Sequence, residues 1–202
     1  MVGIILFGDS VFFGIGASSR SKGCGKLLHC AAKIPVLIKS RNRDTTKDAL
    51  GRLEKDVLTQ AGYSHVVVMF GNNDCRLQGL NTPSVSLKEY ENNLREIIHK
   101  IKLCGKSPML CNLQPISSEG FFRTLPEMKD FIDMDSTPYI WQKSYSDVCG
   151  KVSEETRIGF IDIRSPLEEE MDNIVSDDGL HPNDLGHQII AREIIKTLKS
   201  LL

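Results

Sequence analysis

The 202-residue sequence has little excess charge of either sign, with 25 Lys and Arg against 26 Asp and Glu and a formal net charge of −1. That balance gives no basic footprint for nucleic acid or an anionic membrane surface. Long apolar runs are also lacking. The longest strongly apolar stretch, 66–70, is far short of the ~20 residues that cross a bilayer. The apolar run at 2–7 has no basic region before it and is cut off by Gly8-Asp9-Ser10, so it is too short for a secretory h-region and reads as a strand. The six cysteines, at 24, 30, 75, 104, 111 and 149, contain no Cys-x-x-Cys pair, which argues against a zinc site. Without export they are expected to be reduced thiols. No repeat or low-complexity tract occurs, and 41% hydrophobic with 25% charged residues is ordinary globular usage. The expectation is a soluble, cytoplasmic chain with one domain over 1–202, no integral membrane segment and no nucleic-acid partner. Nothing in the pattern sets an oligomeric state.

What is present is an alternation of short apolar runs with longer amphipathic ones. Candidate strands fall at 2–7, 36–38, 65–70, 109–113 and 158–163. Each is nearly continuous in apolar residues, as expected where a parallel sheet is covered on both faces. Between them, 46–60, 87–103 and 183–202 carry apolar stripes at helical spacing. Thr45 with Asp48, and Ser86 with Glu89, have the spacing of helix caps. Five strands alternating with helices predict an α/β fold, a three-layer α/β/α sandwich around a five-stranded parallel sheet in the flavodoxin-like order 2-1-3-4-5. The least regular region, 114–143, is rich in aromatics and interrupted by prolines. It reads equally as cover for an apolar substrate site or as packing for a peripheral helix.

In open α/β sheets a ligand sits beyond the carboxyl ends of the strands, at the point where strand order reverses. The residues just after each strand are therefore the candidates. Ser10 follows the first strand, Asn73 lies in Gly71-Asn72-Asn73-Asp74 after the third, and His181 closes Asp178-Gly179-Leu180-His181 near the chain end. The chosen strand order makes the first and third strands neighbours, which brings Ser10 and Asn73 together. A serine after a strand is ordinarily an N-cap. Here a base, an orienting acid and an amide donor are at hand, which supports a nucleophile instead. His181 is the natural base, and Asp178 reaches its Nδ1 if Gly179-Leu180 form a turn. Asp184 and His187 have the same spacing, but they fall within a helical pattern, so His187 reads as a packing or capping histidine.

Together, Gly8-Asp9-Ser10, Gly71-Asn72-Asn73-Asp74 and Asp178-Gly179-Leu180-His181-Pro182, in that order and on that fold, resemble the SGNH hydrolases, also called the GDSL esterase and lipase family. The resemblance covers nearly the whole chain. It implies a Ser10 nucleophile, a His181 base oriented by Asp178, and an oxyanion hole that includes the Ser10 backbone N–H and the Asn73 side chain. It also implies a small-molecule ester as substrate, with no metal or organic cofactor.

One motif departs from the family pattern. The family usually has a glycine ahead of an Asp-Thr pair after the second strand, and its N–H is the third oxyanion donor; here Arg43 stands in that place. The donor persists if the backbone there does not need a positive φ, and otherwise the loop must differ and leave two donors. Arg43 is also either an exposed, solvated charge or a cation favouring a phosphate or carboxylate on the substrate. The leading expectation is a serine hydrolase cleaving a small or medium acyl ester of esterase, lipase or deacetylase type. The alternatives are an acyltransferase using the same nucleophile and a catalytically weak ligand-binding relative. A nucleotide-binding module is a poor fit, because Ser19 takes the place of the third fingerprint glycine.

Overall fold

Residues 3–132 and 136–199 are described by the computed structural model. Its centre is a sheet of five strands, β1 (Ile4–Gly8), β2 (Val36–Ser40), β3 (His65–Met69), β4 (Ser107–Cys111) and β5 (Gly159–Ile161). All neighbouring pairs are parallel and the order is β2-β1-β3-β4-β5, as the sequence pattern predicts. The strands read as continuous apolar runs because both faces are covered: Ile4 to Phe7 and Val66 to Phe70 are all fully buried. The register aligns the carboxyl ends of the central strands. Gly8 lies opposite Ser40 on one side and Met69 on the other, so β1, β2 and β3 end level and release their loops at one edge.

Strand limits move by a few residues from the expected ones. The predicted 109–113 strand begins at Ser107 and so takes in Pro108. Pro108 pairs with Val66 of β3, whereas pairing to β5 starts only at Met109. At that position the missing N–H faces no second strand, which is where a sheet tolerates proline. The expected strand at 158–163 shrinks to the three residues of β5. Residues 1 and 2 of the expected first strand lie outside the described residues.

The long helices are α1 (Cys24–Ala31), α2 (Thr46–Leu53), α3 (Leu87–Leu103), α4 (Pro138–Thr156) and α5 (Asp184–Lys199). Helices α1 and α5 pack together on one face of the sheet, and α2, α3 and α4 form the layer on the other. Thr45 and Asp48 close a reciprocal capping box at the start of α2, with Asp48 accepting from the Thr45 N–H at 2.9 Å. Helix α2 does not run to residue 60 unbroken, because Glu54–Leu58 widen into a π-helical turn. In the expected helix at 183–202, the described part is Asp184–Lys199 and 200–202 lie outside the described residues. Helix α4 has no clear apolar stripe, because Gln142, Ser146 and Ser153 are among the residues it buries. Its first residues fall in the region 114–143 that looks irregular in sequence. There the chain forms a helical turn at Ser118–Thr124, a 3-10 turn at Pro126–Phe131 and then the start of α4. Among the described residues no helix is long and apolar enough to cross a membrane.

Candidate active site

Ser10 opens a four-residue helical turn, Ser10–Phe13, directly after β1. The capping reading of this serine does not hold: the cap is Asp9, whose Oδ1 accepts the Val11 N–H at 3.1 Å. The Ser10 hydroxyl is left to bond elsewhere, and it lies 3.1 Å from His181 Nε2. The other ring nitrogen, Nδ1, is 2.6 Å from Asp178 Oδ2. Ser10 is 4% exposed, whereas the His181 and Asp178 side chains are partly open to water.

The loop carrying Asp178 and His181 is built by its own hydrogen bonds. Asp178 Oδ1 accepts from the Leu180 N–H at 2.8 Å, the His181 N–H at 2.9 Å and the Ser176 hydroxyl at 2.8 Å. Burial pushes the Asp178 carboxyl upward, but these bonds and the His181 ring outweigh it, and the group is held well below the usual carboxylate range. Gly179 makes the turn with φ +72°. A Cβ there would come within 2.2 Å of the Gly120 carbonyl carbon and the Phe121 nitrogen. Backbone therefore packs on backbone, and the Ser117 N–H donates to the Gly179 carbonyl at 2.9 Å.

Asn73 follows β3, as expected, and faces the same edge. Its amide donates to the Asp44 carbonyl at 3.0 Å and to Asp9 Oδ2 at 3.3 Å. Burial pushes Asp9 up to about 7, with the Val11 amide and His181 pulling against it. Asp74, next along, is also buried and raised to about 6 by desolvation, although it holds the Thr46 backbone N–H at 3.0 Å and the Thr46 hydroxyl.

Arg43 adopts φ +69°. The backbone does take the left-handed conformation, and the loop does not change to avoid it, contrary to the simple alternative posed by an arginine at this place. Its neighbours impose the geometry. The Arg41 N–H bonds the Gly8 carbonyl at 3.1 Å, Asp44 holds Asn73 through its carbonyl and Arg52 through its carboxylate at 2.5 Å, and Thr46 is tied to Asp74. A left-handed non-glycine residue costs on the order of 1–2 kcal/mol. Replacing Arg43 with glycine is thus expected to stabilise the protein by about 0.5–1 kcal/mol, after glycine's own entropy cost, whereas Arg43→Ala keeps the strain. Denaturant unfolding of the three proteins checks this, and a less stable Arg43→Gly protein would show that no strain is stored there.

Several residues that matter to this geometry carry no sequence signal. Arg52, 6% exposed, joins the ends of β1 and β2 by donating to the Gly8 carbonyl at 3.0 Å and the Lys39 carbonyl at 3.0 Å. It stacks 4.4 Å over the Phe7 ring and pairs with Asp56 at 3.1 Å as well as Asp44. In sequence it is only one more polar residue on α2. A chain of amides does similar work on the other side: Gln142 donates to Asn72 at 2.9 Å, Asn72 to Gln114 at 3.1 Å, and Gln114 to the Leu180 carbonyl at 3.3 Å. His187, read as a packing histidine, is fully buried and accepts from the Cys24 N–H at 3.2 Å, with Nε2 2.9 Å from the Ile15 carbonyl.

Ser10, Asn73, Arg43, Asp178 and His181 all line one cavity of about 330 Å³. Its far wall is apolar and comes largely from the 114–143 region, with Ile116, Phe121, Leu125, Met128, Ile132 and Trp141. Both readings of that region hold in part. Phe121 and Trp141 face the cavity, whereas Tyr139 lies under Arg164 with its ring 4.9 Å from the guanidinium and donates to Glu168 at 2.7 Å.

A parallel three-layer α/β sandwich with its polar cluster at the carboxyl edge of the sheet defines a doubly wound α/β protein with its site where strand order reverses, and comparison with known proteins makes the class specific. The sequence model of the GDSL-like Lipase/Acylhydrolase family matches residues 6–189. The chain belongs to this family and is a carboxylic ester hydrolase. Relatives include the GDSL esterase/lipase CPRD49 of Arabidopsis thaliana, 26% identical over 97% of this chain and 78% of its own length. The acetylxylan esterase of Geobacillus stearothermophilus is 27% identical over 82% of this chain and 72% of its own length. Among solved structures, the lipase/acylhydrolase from Enterococcus faecalis superposes with a TM-score of 0.81 at 25% identity, covering 100% of this chain and 97% of that one.

Proposed function

We propose that the chain hydrolyses a small or medium acyl ester through an acyl-enzyme on Ser10, with His181 as general base and Asp178 as its orienting acid. The observation that carries this reading is the unbroken line from Asp178 Oδ2 through the His181 ring to Ser10 Oγ, with steps of 2.6 and 3.1 Å. Asp178 would keep the proton on Nδ1, leaving Nε2 to take the hydroxyl proton as Oγ attacks the carbonyl carbon. The imidazolium then gives that proton to the departing alcohol. A water molecule, deprotonated by the same nitrogen, attacks the acyl carbon and releases the carboxylic acid and free Ser10.

The carbonyl oxygen becomes an anion at each attack, and three donors are suited to it. The Ser10 N–H begins a helical turn and has no partner within that turn. The Asn73 amide can exchange its longer contact, the 3.3 Å one to Asp9, for the oxyanion. The Arg43 N–H completes the set in a conformation that glycine would otherwise supply. Retention of that conformation speaks against a catalytically weak relative. The apolar wall suits an acyl chain, and a cavity of this volume is at the lower end of the ~300–1,000 Å³ typical of small-molecule sites.

Labelling with a fluorophosphonate probe followed by peptide mapping tests the reading: modification is expected at Ser10, and labelling elsewhere with Ser10 untouched overturns it. Gly179→Ala provides a separate check on the loop. With its Cβ driven against residues 120 and 121, the loop must shift, and kcat/KM for p-nitrophenyl butyrate is expected to fall about 100-fold, as a displacement near 1 Å commonly costs. An unchanged kcat/KM would mean that the backbone contact yields without moving Asp178 or His181.

A further inference from the structure

The geometry points to a substrate that carries an anionic group, a phosphate or a carboxylate, held by Arg43 and Arg76 of the cavity lining, with its apolar part against the apolar residues of the same lining. This rests on the hydrolase reading of the site and narrows it to a class of ester. Both arginines line the cavity that holds Ser10 and His181, and both side chains are exposed. Among the described residues neither guanidinium has a hydrogen bond, an ion pair or an aromatic ring for a partner. Most other arginines are engaged: Arg41, Arg52, Arg95, Arg164 and Arg192 each pair with a carboxylate. Arg157, which likewise has no side-chain partner, closes α4 outside the cavity lining.

Three further features favour an anion. The carboxylate that lines the cavity, Asp178, is already occupied by His181, Leu180 and Ser176, so the two cations have no compensating charge within the lining. The main chain on which each arginine is carried is anchored. Arg43 is fixed by the tethers on Arg41, Asp44 and Thr46, and the Arg76 carbonyl accepts from the Ser84 N–H at 2.8 Å and the Ser84 hydroxyl at 3.0 Å. Finally, Arg43 holds a left-handed conformation that glycine would adopt without strain, so the side chain is retained at a cost to stability. Such an outlier at a site points to function. A guanidinium fork matches the oxygens of phosphate and carboxylate alike, so both belong to the proposed class.

Matched ester pairs test this at low salt. The first pair, 1-butyryl-glycerol 3-phosphate and 1-butyryl-glycerol, places a phosphate on the alcohol. The second, p-nitrophenyl hemiglutarate and p-nitrophenyl butyrate, places a carboxylate on the acyl group. The readout is the ratio of kcat/KM for the charged over the neutral ester. In wild type that ratio is expected to exceed about ten in at least one pair, and the responsive pair identifies which side of the scissile bond carries the anion. The ratio should approach one in the Arg43→Gly, Arg76→Gln double variant. It should also shrink as ionic strength rises from 0.01 to 1 M, where the screening length drops from roughly 30 to 3 Å. A wild-type ratio of one or less in both pairs overturns the proposal, as does a ratio that the double variant leaves unchanged. Cleavage of the neutral esters together with Ser10 labelling keeps the two readings apart: their absence sinks the hydrolase assignment, whereas their presence with a flat ratio sinks only the anion preference.

Discussion

Ser10→Ala is expected to lower kcat on p-nitrophenyl butyrate by roughly 10⁶-fold, leaving only the 10³–10⁴-fold advantage over solvent that binding and the oxyanion donors supply. The hydroxyl is the atom at the end of the line through His181, and among the described residues it is the hydroxyl bonded to that nitrogen. The effect is chemical rather than structural. Ser10 does not cap its helical turn, because Asp9 does, so alanine removes no bond that the fold requires. His181→Ala should cost about as much, and the double variant no more than either, because in the proposed mechanism the two groups act in one proton transfer. Purified Ser10→Ala protein that keeps more than about 1% of the wild-type kcat would exclude Ser10 as nucleophile.

Asp178→Asn is expected to reduce kcat by about 10⁴-fold with little change in the loop. Asparagine is close to isosteric, and its oxygen can still accept from the Leu180 and His181 N–H groups that shape the turn. What it cannot do is hold the proton on Nδ1 by accepting from it with a negative charge. The His181 tautomer with its proton on Nε2 then faces Ser10, and that nitrogen is no longer a base. Because Asp178 is held well below the usual carboxylate range, its charge persists across the neutral and mildly acidic range. A carboxylate with a depressed folded-state pKa adds stability above its unfolded value near 3.8, and that stability is lost as pH falls through the folded value. The wild-type protein is therefore expected to lose this increment only in strong acid, and Asp178→Asn should flatten the stability profile there. Thermal unfolding between pH 2 and 7 measures it. A variant retaining more than about a tenth of wild-type kcat would show that Asp178 does not set the tautomer.

Much of this protein is dictated by local pattern. Continuous apolar runs gave five strands because a sheet buried on both faces admits no polar alternation, and the order 2-1-3-4-5, adopted as a common one for such sheets, is the order observed. Positions just after the strands and in the last loop led to Ser10, Asn73, Asp178 and His181, and all four line the same cavity. What escaped was of a different kind. Helix α4 buries Gln142 and Ser146, whose partners lie at Asn72, Gln114 and Leu113, so its buried face carries no apolar stripe. Arg52 and Asp74 look like surface charges until the ends of β1 and β2 and the loop at Thr46 close around them.

The residue types of the site, their order and the sheet that carries them were thus present in the chain itself, because period, caps and motif spacing act over a few neighbours. Two matters depended on distant parts of the chain meeting. Burial raised the Asp9 carboxyl to about 7, and Arg43 took a left-handed backbone because its neighbours are tethered to Gly8, Asn73, Arg52 and Asp74. Desolvation and backbone constraint are sums over everything packed around a group, and in this site most of those contributors stand more than twenty residues away along the chain.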